Sequence, residues 1–203
     1  MNNMALEPQT IRQQITNHLR KDLVLGTFPA GATLRETELA ARLGVSRGPV
    51  RDAFIQLSHE GFLDYQANRG VTVRQPPDPA DREFVADMRR RMETYVVAKG
   101  IKRVTDEAIA RVGAALSRLQ SACEQGDAIE IAYCDVAFHE SILIACGGED
   151  FVGSWRLLCS RMLLAYTRHE NYGETYREHA AIFEALKKKS SRATVATIKA
   201  NIK

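Results

Sequence analysis

The sequence predicts a mainly α chain. An N-terminal winged helix-turn-helix, three helices plus a two-stranded wing, joins an all-α bundle of six or seven helices. Three observations predict this. The first 75 residues alternate short helical patterns with glycine stops and finish in two short β-type runs. Pro76, Pro77 and Pro79 then fall within four residues, where proline forbids helix continuation and restricts its predecessor. The remainder carries helical periodicity with no competing strand pattern. The expected division is a reader at 1–75, a Pro-rich linker at 76–80 and a bundle at 81–203.

In the first part, Thr10 to Leu25 places Ile11, Ile15, Leu19, Leu23 and Val24 at helical spacing, and Gly26 and Pro29 stop the run. Thr37 to Leu43 is a short second helix closed by Gly44. Ser46 is expected to cap a third helix with its hydroxyl, and Pro49 falls in the first turn, where a missing N–H costs little. Val50, Phe54 and Leu57 form that helix's apolar face, and Gly61 ends it. Phe62–Tyr65 and Val71–Val73 read as two short strands joined by the turn Asn68-Arg69-Gly70. Helix, short helix, glycine turn, capped helix and hairpin is the order that presents a helix end to a DNA major groove.

In the second part six helical patterns run from about Asp81 to Lys102, Thr105 to Gln125, Asp127 to Cys146, Glu149 to Thr167, Glu174 to Lys188 and Ser190 onward. Breaks fall at Gly126, Gly147-Gly148 and Gly173. Thr105 followed by Asp106 and Glu107 is a capped start with acid near the positive end of the helix dipole.

Composition sets the outer bounds. The 203 residues are 45% hydrophobic and 26% charged, ordinary for a globular protein. No stretch approaches the roughly 20 apolar residues that span a bilayer. The N-terminus does not read as a secretory signal, so a cytoplasmic protein without membrane attachment is expected. Cys123, Cys134, Cys146 and Cys159 contain no CxxC pair and read as free thiols. A formal net charge of +3 does not announce a nucleic-acid binder. Any such site must lie in the placement of a few arginines.

That placement is visible. Arg47 and Arg51 are one turn apart at the start of the third helix, the part that meets base edges in this geometry. Arginine bonds bidentately to guanine or to phosphate. Arg35 precedes the second helix and is placed for a backbone contact. Arg69 lies at the wing tip, where Gly70 removes bulk that would block a minor groove.

The run from Ile11 to Val73 resembles the winged helix of the GntR family of bacterial regulators. The carrying residues include Leu34-Arg35-Glu36, Leu39-Ala40, Leu43-Gly44-Val45-Ser46-Arg47, Pro49-Val50-Arg51, Glu60-Gly61 and Asn68-Arg69-Gly70-Val71. The resemblance implies DNA contacts at Arg35, Arg47, Arg51 and Gly70. With Ser46, Asn68 and Arg69 these complete the candidate DNA-binding set.

The bundle holds a polar constellation. Asp135 and His139 lie at i and i+4 within an otherwise apolar helix, and His179 lies on another helix beside Ile182, Phe183 and Leu186. Asp and His from facing helices can hold a divalent metal, although the pair at this spacing also suits an ordinary intrahelical hydrogen bond. His18, His59 and His169 have no comparable setting.

The second part resembles the FCD ligand-binding domain of the FadR-type branch of GntR regulators. Arg89-Arg90-Arg91-Met92-Glu93, the DxxFH pattern of Asp135 to His139 and the segment His179 to Leu186 carry that resemblance. It implies an Asp and three His around zinc, nickel or a similar ion. Carried over, this gives Asp135, His139 and His179, with Asn201 standing where the third histidine is expected. An amide oxygen is a harder, weaker ligand than imidazole. The resemblance also implies a small organic-acid effector held by arginine. Arg89, Tyr133 and Arg161 are the candidates, with Arg156 and Tyr166 as weaker ones.

The implied function is a homodimeric regulator of transcription, a repressor by preference, that binds an operator in double-stranded DNA and answers to a small carboxylate. Two alternatives stand beside it. One is a metal-dependent enzyme using the Asp/His site. The other is a DNA-binding dimer without an effector.

Overall fold

A computed structural model describes residues 10–66, 70–164 and 171–202. The chain divides into two compact units, one ending at Pro76 and the other starting at Pro77.

In the first unit, α1 spans Ile11–Val24, β1 Thr33–Leu34, α2 Glu36–Leu43, α3 Arg47–His59, β2 Leu63–Gln66 and β3 Gly70–Val73. Thr10 closes a capping box with Gln13 at the start of α1, satisfying two amides reciprocally. The apolar stripe predicted for α1 buries Ile15, Leu19 and Leu23, while Ile11 stays exposed. In α3, Val50, Phe54 and Leu57 are wholly buried. Arg20 on α1 grips Glu60 at the end of α3 through two bonds of 2.8 Å, fixing one helix against the other. Gly44 takes φ +65°, the left-handed conformation that lets the chain turn sharply between α2 and α3.

The expected two-stranded wing is the antiparallel pair β2–β3, and a further strand extends the sheet in the order β1-β3-β2. The extra strand is only two residues long, too short to show alternation. Contrary to expectation, the Ser46 hydroxyl makes no capping bond, although Ser46 does occupy the N-cap position of α3.

The second unit consists, among the described residues, of helices without strands. They are α4 (Pro79–Gly100), a 3-10 turn at Ile101–Arg103, α5 (Asp106–Gln125), α6 (Ala128–Ala145), α7 (Glu149–Leu164), α8 (Tyr172–Lys187) and α9 (Ser191–Asn201). Pro79 does not belong to a linker. It is the first residue of α4, with Asp78 capping the amide of Asp81 at 2.8 Å. Thr105, Asp127 and Ser190 cap α5, α6 and α9 in the same manner.

Helix α5 packs on α6 and α8, α4 on α7 and α9, and α8 on α9. The core they share includes Val97, Val112, Phe138, Ile142, Leu143, Trp155, Ile182, Leu186 and Ile198. Gly100 permits the closest approach, because a Cβ there would run into the backbone carbonyl of Cys146. The result places one turn of α4, the middles of α6 and α8 and the end of α9 around a buried polar cluster.

Candidate functional site

The first candidate surface is built by α2, the Gly44 turn and the first two turns of α3. Arg47 and Arg51 stand on one face of α3 and are more than half exposed. Both bond to one carboxylate, that of Glu36 at the start of α2. Arg51 donates from Nε to Oε1 at 2.9 Å and from Nη2 to Oε2 at 3.0 Å, and Arg47 Nη2 reaches Oε2 at 3.3 Å. The hydrogen bond from Arg51 lowers the Glu36 pKa and raises that of Arg51 itself. Arg35 is exposed and pairs with Glu38 at 3.2 Å. Ser46 is exposed beside Arg47. Gly70 opens β3 at φ +95°, which favours glycine. Asn68 and Arg69, the predicted wing tip, lie outside the described residues. The arginines present guanidinium donors suited to guanine edges and phosphates, at a helix end that also exposes amides.

The second candidate site lies in the bundle. Ligand atoms of Asp135, His139 and His179 all fall within 4.8 Å of one another. Asp135 and His139 share one face of α6 but do not bond to each other, since Nε2 and Oδ1 are 3.9 Å apart. Instead His179 Nε2 meets Asp135 Oδ1 at 2.7 Å, while its Nδ1 meets the carbonyl of Thr175 at 2.7 Å. His139 Nδ1 lies 2.6 Å from Glu93 Oε2 and its Nε2 lies 2.9 Å from Asn201 Oδ1. Asn201 Nδ2 donates to Glu178 at 3.1 Å, and this sets which end of the amide faces the histidine.

Glu93 is the hub behind this cluster. Its Oε1 accepts from Arg89 Nε and from Trp155 Nε1, both at 2.7 Å, while Oε2 serves His139. The Arg89 guanidinium also lies 5.5 Å from the Trp155 ring. Burial pushes the Glu93 carboxyl up, but His139, Arg89 and the Trp155 bond outweigh it and hold it at about 2. Asp135 behaves likewise: burial raises it, and the His179 bond with the charges of His179, His139 and Arg89 brings it well below the carboxylate range. Burial lowers His179, yet its bond to Asp135 raises it overall.

The donor set suits a divalent cation. The second nitrogen of each histidine is taken, His139 by a carboxylate and His179 by a backbone carbonyl, so both Nε2 atoms turn toward the space shared with Asp135. The Asn201 oxygen adds a fourth oxygen or nitrogen donor beside His139. Solvent reaches the cluster chiefly through Asp135, whose side chain is 28% exposed against 0% and 1% for the histidines.

Arg89, 7% exposed, keeps its Nη2 buried with no hydrogen-bond partner, 3.7 Å from Asp135 Oδ2. Arg161 on α7 holds a buried Nε that also makes no hydrogen bond. Tyr133 is half-buried on α6, and Arg156 is exposed in a two-bond pair with Glu140. Tyr166 lies outside the described residues.

Comparison with known proteins now decides the family. Residues 11–73 match the model described as bacterial regulatory proteins, gntR family, and residues 85–203, more than half of the chain, match the FCD domain. The chain belongs to the GntR family. It is a transcriptional regulator of that family carrying an FCD domain.

Among its relatives is a probable D-xylose utilization operon transcriptional repressor of Paenarthrobacter nicotinovorans, 28% identical over 154 residues. The match covers 73% of this chain and 65% of that protein. The gluconate operon transcriptional repressor of Bacillus licheniformis is 24% identical over 187 residues, 87% of this chain and 75% of that one. The solved structure of E. coli McbR/YncC shares the fold, with a TM-score of 0.76 at 23% identity over 96% of this chain and 94% of that one.

Within this GntR-family chain, Arg35, Ser46, Arg47, Arg51 and Gly70 fall in the gntR segment, and Arg89, Tyr133, Asp135, His139, Arg161, His179 and Asn201 in the FCD segment. Sequence reasoning missed Glu36, Glu93, Trp155 and Glu178. Glu93 carried a readable signal, its i,i+4 spacing from Arg89. Glu36 and Glu178 carried none, because their partners lie on other helices.

Proposed function

We propose that this regulator is a homodimeric repressor whose operator affinity responds to a small carboxylate held in the FCD bundle, with a divalent metal beside it. The observation that carries the proposal is the buried Arg89 Nη2 without a hydrogen-bond partner, next to the cluster of Asp135, His139 and His179. Asp135 Oδ2 at 3.7 Å offsets its charge but is too far to hydrogen-bond, and a ligand carboxylate would supply that bond.

Asp135, His139, His179 and the Asn201 amide oxygen would hold the metal, with zinc or nickel as the candidates. The ion would supply a positive centre that attracts a carboxylate. Glu93 orients His139, Thr175 orients His179, and Arg89 offers the second contact for the acid. Arg161 and Tyr133 are further candidates for that ligand.

In the DNA-binding unit, Arg47 and Arg51 would read base edges while Arg35, Ser46, Gly70 and the wing residues Asn68 and Arg69 contact the backbone or minor groove. Dimerisation is supported by α4, which exposes Phe84 (64%), Met88 (39%) and Tyr95 (53%) at helical spacing along one face. Four free cysteines suit the reducing cytoplasm in which a repressor meets its operator. Among the described residues no helix is long and apolar enough to cross a membrane.

The relatives' names point the same way on sign, since both are called repressors, and one is named for a gluconate operon. An effector changes operator affinity only if it binds one state of the regulator better than the other. The test starts with duplexes enriched by the protein from a random-sequence library. Their binding is then followed by fluorescence anisotropy with zinc or nickel and a panel of sugar acids and dicarboxylates. Release of the duplex by one of these acids in the wild type, and not in Arg89→Met, is expected. Enzymatic turnover of a bound acid would contradict the proposal.

A further inference from the structure

One carboxylate holds both arginines that would read DNA. Glu36 is the first residue of α2, its side chain 16% exposed, and it takes three hydrogen bonds from α3. Arg51 gives it the whole side edge of the guanidinium, Nε with Nη2. Only the end edge, Nη1 with the second Nη2 hydrogen, remains for another partner. Arg47 gives a single longer bond from Nη2 and keeps its other donors.

The two-bond pair and the shared carboxylate tie α3 to α2. Arg47 and Arg51 are nevertheless 59% and 51% exposed, so their outer donors stay open to a further partner. Two consequences follow for nucleic acid. A guanidinium already fixed on one edge loses less rotamer freedom when its other edge meets a guanine. A carboxylate lying between two arginines also repels phosphate and removes one unit of positive charge from the surface that would bind any sequence.

We propose that Glu36 is a positioning residue that sets operator selectivity: it aims the end edge of Arg51 at a base and penalises sequence-independent phosphate contact. The inference rests on the DNA-reading role of α3 given above.

The experiment uses full-length protein, a labelled duplex enriched by the wild type from a random-sequence library, and a scrambled duplex of equal composition. Anisotropy titrations at several salt concentrations compare the wild type with Glu36→Gln and Glu36→Asp, each checked by circular dichroism for a native melt. Glu36→Gln should bind the scrambled duplex more tightly, with a salt slope steeper by about 1. Its ratio of selected to scrambled affinity should fall roughly tenfold. Glu36→Asp, which keeps the charge, should recover part of that ratio. An unchanged ratio in Glu36→Gln, whether both affinities stay or shift together, overturns the role of Glu36. If the wild type enriches no sequence, the DNA-reading role itself fails, and that result is distinct from the others.

Discussion

Glu93 and His139, on α4 and α6, meet at 2.6 Å, and the contact fixes Nδ1 of a fully buried imidazole on a carboxylate. That leaves Nε2 turned toward Asp135 and His179. Outer partners of this type orient ligand histidines and raise their basicity. Glu93→Gln should therefore weaken zinc or nickel binding by about 10- to 100-fold, measured by competition with a chromophoric chelator. Equal affinity in the variant would show that Glu93 does not support a metal ligand.

Asn201 occupies a position where the family resemblance implies a histidine. Its oxygen faces His139 at 2.9 Å, held there by the bond to Glu178. Asn201→His should raise affinity for nickel and zinc by roughly tenfold or more, because imidazole is the better donor to these ions. Unchanged affinity in the same competition assay would place residue 201 outside the coordination sphere.

The cluster also makes stability depend on pH. Glu93, held at about 2, and Asp135, held down by His179, His139 and Arg89, have folded values below their ordinary ones. Depressed carboxyls contribute stability that is complete above the ordinary range and lost as pH falls through the folded value. His179 is raised above its ordinary 6.5, so its contribution is complete below that pH and lost as pH rises through the folded value. Thermal midpoints of chelator-treated protein should decline below about pH 4.5, and less steeply in Glu93→Gln. A midpoint flat from pH 7 to pH 3 would contradict the charged cluster.

Gly100 tests the bundle itself. A methyl group there meets the Cys146 carbonyl, and neither backbone can move without shifting α4 against α6. Gly100→Ala should cost about 3 kcal/mol in urea unfolding. A loss under about 0.5 kcal/mol would mean that the two helices do not approach so closely.

Much of this architecture was legible from local chemistry. Ile15, Leu19 and Leu23 on α1 and Val50, Phe54 and Leu57 on α3 repeat at helical spacing, and Thr105 announces a start that its hydroxyl realises. Strand β1 was not legible, because Thr33 and Leu34 gain strand geometry only by pairing with Thr72 and Val71. The Ser46 cap failed for the opposite reason: the residue type suits the position, but its side chain makes no cap bond.

The metal candidates Asp135, His139 and His179 were readable as types and spacings. Which groups they bond was not. Asp135 and His139 could have paired along α6, yet each finds its partner on another helix. Glu93 is locally marked only by its i,i+4 spacing from Arg89, while its bonds to His139 and Trp155 and that of Glu178 to Asn201 span 46, 62 and 23 residues, which no local pattern encodes.

The central claim is that α3 reads an operator through Arg47 and Arg51. The most direct measurement is an anisotropy titration of the library-selected duplex with Arg47→Ala and with Arg51→Ala, each confirmed to melt like the wild type. Each variant should bind that duplex roughly ten- to a hundredfold more weakly, with a smaller change on scrambled DNA. Wild-type affinity in both variants would contradict the account.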